Sequence, residues 1–123
     1  MHKKVIFADD DFGIRANLEI LLRQIAPDCI IDQVKNGKEL VEKVRRGSYD
    51  LVLTDNSMPV MNGLVATKLI RVFYEGPIFV ISSHDVEREA KTAEATGYLP
   101  KIISIGRPDG QPLRDVLTQY LVQ

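Results

Sequence analysis

VIFADDD, residues 5–11, is a short apolar run that breaks into three consecutive acids, Asp9, Asp10 and Asp11. Residues 5–8 read as a buried strand, and the acids fall where that strand leaves the sheet. The device recurs along the chain. LVLT, residues 51–54, runs into Asp55; IFVI, residues 78–81, runs into Ser82; and the short GYLP, residues 97–100, runs into Lys101. Parallel neighbours would bring three carboxylates, a hydroxyl and an ammonium to one edge of one sheet.

Helical patterns separate these runs. Residues 12–26 carry Ile14, Leu18, Leu21, Leu22 and Ile25 on one face, with Asp11 suited to the N-cap and Pro27 to the stop. A second strand is expected over residues 29–34, broken by Asn36-Gly37. Residues 38–46 form a short helix with Leu40, Val41 and Val44 inward, ended by Gly47. The third strand covers residues 50–54, and its unbroken apolar character suits burial on both faces. Residues 63–74 read as helix, terminated by Gly76-Pro77, and residues 85–95 as a mostly polar helix. Pro100 places the fifth strand at a sheet edge. Residues 113–122 close the chain as a helix, with Pro112 in its first turn. Five strands alternating with helices imply an α/β fold, a doubly wound five-stranded parallel sheet with helices on both faces. The flavodoxin-like strand order 2-1-3-4-5 puts the topological switch point between strands one and three, the two that end in acids.

Composition bounds the functional classes. At 123 residues the chain makes one domain with a real core, and 45% hydrophobic with 27% charged residues is a globular balance. A formal net charge of −1 gives no general attraction to nucleic acid or to anionic membrane. The single Cys29 cannot close an internal disulfide and reads as a buried thiol in a reducing compartment. No apolar run approaches membrane-spanning length, so a cytoplasmic location is expected. There is no Walker loop, no GxGxxG turn and no DNA-binding helix pair.

Each strand-end residue alone has an ordinary explanation: a solvated turn and cap for Asp9 to Asp11, a turn for Asp55, a cap for Ser82, a surface charge for Lys101. Their joint placement after four strands points to chemistry. Crowded Asp9, Asp10 and Asp55 would repel unless a cation sat among them, and oxygen-only ligands in an open site favour Mg²⁺. Asp55 is then a candidate nucleophile, because carboxylates form acyl phosphates. Lys101 would neutralise a transferred phosphoryl group and Ser82 would hydrogen-bond to it.

On these residues the chain resembles the receiver domains of response regulators. IFADDDFGIR is similar to the family's acidic start, LVLTDNSMPVMNG to its phosphoacceptor segment, PIFVISSHD to the segment carrying the hydroxyl, and GYLPK to the one carrying the lysine. The resemblance spans almost the whole chain. It implies one receiver domain over residues 1–123, with Asp55 accepting a phosphoryl group from a histidine kinase or phosphotransfer protein. It implies Mg²⁺ ligated by Asp10, Asp55 and the backbone carbonyl of Ser57, with Asp9 acting through a metal-bound water. Ser82 would move toward the phosphoryl group and Tyr98 would turn inward as the switch aromatic. The surface of the last strands and helices would then change its affinity for a downstream protein or an attached effector domain, with no direct contact to nucleic acid or membrane. The domain would catalyse only its own phosphorylation and dephosphorylation.

Two departures from the family pattern stand out. Ile102 follows Lys101 where proline is usual, so a trans Lys101-Ile102 bond is expected, because a non-proline cis bond costs about 2.5–4 kcal/mol. The segment of residues 102–112 is also long for a strand-to-helix loop. Both bear on the output surface, leaving a pseudo-receiver binding module with altered switching as the alternative. A small phosphatase using Asp55 would need a second acid and a substrate pocket. His84 borders Ser82 in sequence and is a candidate for the phosphate's surroundings, while Met58 and Met61 read as loop anchors.

Overall fold

The computed structural model describes residues 2–101 and 111–122. Among them, the strands β1 (Lys4–Ala8), β2 (Ile30–Val34), β3 (Leu51–Asp55), β4 (Ile78–Ser82) and β5 (Gly97–Pro100) pair in parallel, in the order β2-β1-β3-β4-β5. The helices are α1 (Phe12–Ile25), α2 (Gly37–Arg46), α3 (Gly63–Ile70), α4 (Glu87–Thr92) and α5 (Gln111–Leu121).

Period-two alternation divides the core between the two faces of the sheet. Val5, Phe7, Leu51, Leu53, Phe79, Ile81 and Leu99 pack against Leu18 and Leu22 of α1 and Leu113 and Leu117 of α5. Ile6, Ala8, Val52 and Ile78 point the other way, onto Leu40 and Val44 of α2 and Ala66 and Ile70 of α3. β3 and β4 are buried at every position, as unbroken apolar runs between two helical layers require. β5 pairs only with β4, so Pro100 lies on an edge strand, where proline is tolerated.

Side-chain caps set the helix starts. Asp11 accepts from the Ile14 N–H at 3.0 Å, Asn36 from Glu39 at 2.9 Å and Asn62 from Val65 at 2.8 Å. The Asn36-Gly37 breaker is thus the cap and first residue of α2, which begins one residue earlier than its apolar pattern suggests. β3 is displaced by one residue from expectation, running from Leu51 to Asp55, and the Asp50 carboxylate just before it accepts from the Lys4 N–H at 2.8 Å.

Two helices are shorter than their patterns. α3 ends at Ile70 rather than at residue 74. The N–H groups of Val72 and Phe73 turn onto the carbonyls of Leu69 and Ile70, tightening the chain out of the α-helix. α4 covers Glu87–Thr92 instead of residues 85–95. Asp85 accepts from the Glu87 N–H in a local turn, and Glu94 ends the helix in a left-handed conformation, φ 66°. α5 starts at Gln111, slightly before the expected position, and β2 starts at Ile30, leaving Cys29 just outside it as a buried free thiol. Burial pushes that thiol's pKa up. The Lys101-Ile102 bond and residues 102–110 of the long loop lie outside the described residues. Among the described residues, no helix is long and apolar enough to cross a membrane.

Candidate functional site

β1 and β3 lie side by side with Ala8 paired to Thr54, so the next residues, Asp9 just past β1 and Asp55 at the end of β3, lie at the same level. One carboxylate oxygen from each of Asp9, Asp10 and Asp55 lies within 4.8 Å of the other two. Asp9 and Asp55 are buried, at 4% and 6% exposure, while Asp10 opens to solvent. Lys101, directly after β5, spans the width of β4 to reach them. Its Nζ stands 2.9 Å from Asp9 Oδ2 and 3.3 Å from Asp55 Oδ2.

One ammonium therefore serves two carboxylates. Burial pushes the Asp55 pKa up, the negative charge of Asp9 adds to the rise, and Lys101 only partly offsets both. For Lys101, burial acts downward, but its bond to Asp9 and the charges of both acids outweigh it and hold the ammonium above the usual lysine range. Rises on both members would be contradictory for an isolated ion pair. With two acids sharing one base they follow directly, and a shortage of positive charge remains on the Asp55 side.

The β3–α3 loop folds back over Asp55. Thr54 Oγ1 donates to the Asp55 carbonyl at 2.8 Å, the Gly63 N–H reaches the Asn56 carbonyl at 3.0 Å, and the Leu64 N–H reaches Asn56 Oδ1 at 3.1 Å. Gly63 sits so close to the Asp55 carbonyl that no Cβ fits between them. Within this loop Ser57 is exposed, Met58 and Met61 pack against the core on the α2–α3 face, and Val60 takes a positive φ of 71°.

Ser82 ends β4 one residue beyond Ile81, the partner of Asp55. It is buried, and its Oγ accepts from the His84 N–H at 3.1 Å. His84 thus enters through its backbone, with its side chain exposed. Tyr98 lies half-buried against Val80, Val86 and Ala90, with its hydroxyl donating to the Ser82 carbonyl at 3.4 Å. Asp9, Asp10 and Asp55 are in mutual reach, and Lys101 reaches Asp9 and Asp55. Ser82 adjoins them through the β3–β4 register, and Tyr98 touches Ser82 rather than the acids.

The sequence pattern does not mark Thr54, Asn62 or Arg15. Thr54 and Asn62 support the β3–α3 loop through one hydrogen bond each. Arg15 is a buried base whose Nη1 donates to the Asp9 carbonyl at 2.8 Å. A signal for it existed, since a base stands on the helix stripe shared by Leu18 and Leu22.

The donor set fits a hard divalent cation. All its side-chain donors are oxygen, two are buried, the third faces solvent, and the buried pair carries more negative charge than Lys101 neutralises.

A five-stranded parallel sheet in this order, with acids beyond β1 and β3 and a lysine beyond β5, defines a class, and the chain falls within it. The chain belongs to the response regulator receiver domain family, which matches residues 5–107. It is 35% identical over 107 residues to protein-glutamate methylesterase/protein-glutamine glutaminase 2 of Carboxydothermus hydrogenoformans, an alignment covering 87% of this chain and 30% of that protein. The chain therefore spans about a third of the length of that relative. Among solved structures it is similar to the response regulator TrrA of Thermotoga maritima in complex with Mg²⁺-BeF, with TM-score 0.82, 25% identity, and 97% and 99% of the two chains covered. It also shares its fold with the receiver domain of Ssk1 of Saccharomyces cerevisiae, solved with the histidine phosphotransfer protein Ypd1. That match has TM-score 0.83 at 22% identity and covers 97% of this chain and 88% of that one.

Proposed function

We propose that this receiver domain takes a phosphoryl group onto Asp55 from a phosphohistidine of a kinase or phosphotransfer protein, with Mg²⁺ as its metal. The observation that carries this reading is the convergence of Asp9, Asp10 and Asp55 within 4.8 Å, with Lys101 bridging Asp9 and Asp55. An Asp55 carboxylate oxygen attacks phosphorus, the P–N bond to the donor imidazole breaks, and the imidazole leaves as the neutral base after taking up a proton. Asp10, Asp55 and the backbone carbonyl of Ser57 would hold the metal, with Asp9 behind a bound water. Bound Mg²⁺ supplies charge neutralisation and Lewis acidity at the phosphoryl oxygens.

The chain's own groups do the rest. Lys101 gives up part of its hold on the free carboxylates and follows the new negative charge. The Ser82 hydroxyl trades the His84 N–H for a phosphoryl oxygen, where it donates instead of accepting. That exchange loosens the Ser82–His84 turn, and Tyr98, already bonded to the Ser82 carbonyl, follows it. The outward message is a population shift at β5 and its neighbouring helices, read by a downstream protein or an attached effector domain. The domain catalyses only its own phosphorylation and dephosphorylation, and works in the cytoplasm.

The test is incubation with Mg²⁺ and acetyl phosphate, read by intact mass. Wild type gains one phosphoryl group and Asp55→Asn gains none. No adduct on wild type, or an equal adduct on both proteins, overturns the proposal.

A further inference from the structure

Arg15 is the one buried basic side chain among the described residues, at 9% exposure, and the proposed chemistry does not use it. Burying a guanidinium is costly unless its hydrogen bonds serve something. No carboxylate among the described residues lies within ion-pair distance of it. Its bond instead goes to a backbone carbonyl, that of Asp9, with Nη1 at 2.8 Å. Phe12 lies over the guanidinium, 5.8 Å from ring centroid to Cζ.

The carbonyl it holds sits where the sheet runs out. β1 pairs with both neighbours as far as Ala8, and the Asp9 N–H still reaches the Val34 carbonyl at 3.1 Å. The Asp9 carbonyl is the first backbone group past the ladder. It belongs to the Asp9–Asp10 peptide, a rigid plane that includes the Cα of Asp10. Asp9 is also tied through its carboxylate, to the Asp11 N–H at 2.9 Å and to Lys101. Asp10 is different: among the described residues its exposed carboxylate makes no hydrogen bond or ion pair. Its direction is set through the backbone, and the Nη1 group of Arg15 holds the peptide that precedes it.

We infer that Arg15 is a positioning residue for metal binding, clamping the Asp9–Asp10 peptide so that the Asp10 carboxylate is presented to the cation. This deepens the function proposed above and rests on it. A bare positive charge near the site would oppose a second cation, so geometry and electrostatics predict opposite signs. Groups that orient a ligand from behind typically carry 10–100-fold of metal affinity. Truncation that removes both the charge and the hydrogen bond therefore weakens binding if clamping dominates and tightens it if charge dominates.

The experiment is Mg²⁺ titration of wild type, Arg15→Met and Arg15→Lys by calorimetry, with thermal unfolding in EDTA recorded for each. Arg15→Met is expected to bind Mg²⁺ about tenfold more weakly than wild type. Arg15→Lys, which keeps the charge and can give one bond to the carbonyl, should fall between them. Should the Met variant fail to fold, Arg15→Lys alone decides, since it keeps the charge and changes only the reach and direction of the bond to the Asp9 carbonyl. Mg²⁺ affinity unchanged or tighter in the folded variants overturns the inference while leaving the phosphoacceptor reading intact. Absence of Mg²⁺ binding by wild type sinks that reading and this inference together.

Discussion

Replacing Asp55 by asparagine should make the protein more stable when no divalent cation is present. Two carboxylate charges within 4.8 Å of each other repel by at least about 3–4 kcal/mol at an effective dielectric of about 20. The attraction of Lys101 for Asp55 at 3.3 Å is worth about 5 kcal/mol on the same scale. The two terms nearly cancel, and the desolvation of a buried ion, several kcal/mol, decides the sign. It decides against the charge, in keeping with the upward shift of the Asp55 pKa. The folded state then holds its proton more tightly than the unfolded chain does. Stability from this group is present below the ordinary aspartate range and is lost as pH rises through the raised value. Asp55→Asn is expected to gain about 1–2 kcal/mol at pH 7 in EDTA, several degrees in Tm, with a smaller gain toward pH 4. Mg²⁺ at a hundredfold excess over its Kd should add about 2.7 kcal/mol to wild type and much less to the variant, closing or reversing the gap. Urea unfolding from pH 4 to 8, with EDTA and with Mg²⁺, reads all of this. A variant less stable than wild type in EDTA at pH 7, or a difference that ignores pH, would refute the reasoning.

Other perturbations probe the frame around the site. Arg71 donates to the carbonyls of Glu94 (2.7 Å), Gly76 (2.6 Å) and Tyr74 (3.1 Å) and to Thr96 Oγ1 (3.3 Å). Arg71→Ala should cost about 2–4 kcal/mol in urea unfolding, since charge-assisted bonds are worth about 1.5–3 kcal/mol each and water replaces some of them. Val60→Gly should gain about 0.5–1 kcal/mol: glycine takes the same left-handed conformation without valine's Cβ clash, which outweighs its extra chain entropy, and a net loss would contradict this. Asn62→Ala removes the cap of α3 and should cost about 1 kcal/mol, with Asn62→Asp close to wild type in the same assay.

Strand order and the acidic edge were legible because a parallel α/β pattern turns strand ends into neighbours. Reading Asp9 after one run and Asp55 after another suffices to place them together once the switch point is known. The ends of α3 and α4 were not legible, because their causes are not local. Arg71 bonds to carbonyls up to 23 positions along the chain, and Glu94 takes a conformation that nothing in its neighbours announces. Arg15 is marked in the sequence only as a base on the apolar stripe of α1, and its acceptor, a backbone atom, has no signature there. Ser82 could be placed on its strand, but its bond to the backbone of His84 depends on how the chain turns afterwards.

Gly63 and Gly76 look alike in the sequence, and a side chain at either would collide, yet the two positions stand under different evolutionary rules. At Gly76 the obstacle is the far end of the Tyr74 ring, a flexible group that a second substitution can trim or turn aside. At Gly63 it is the Asp55 carbonyl itself, with the Asp55 carbonyl carbon at 3.0 Å behind it. Main chain cannot be edited by mutation. A lineage drifting through sequence space can therefore leave glycine at 76 by a two-step path, while glycine at 63 can change only if the turn that follows Asp55 is rebuilt.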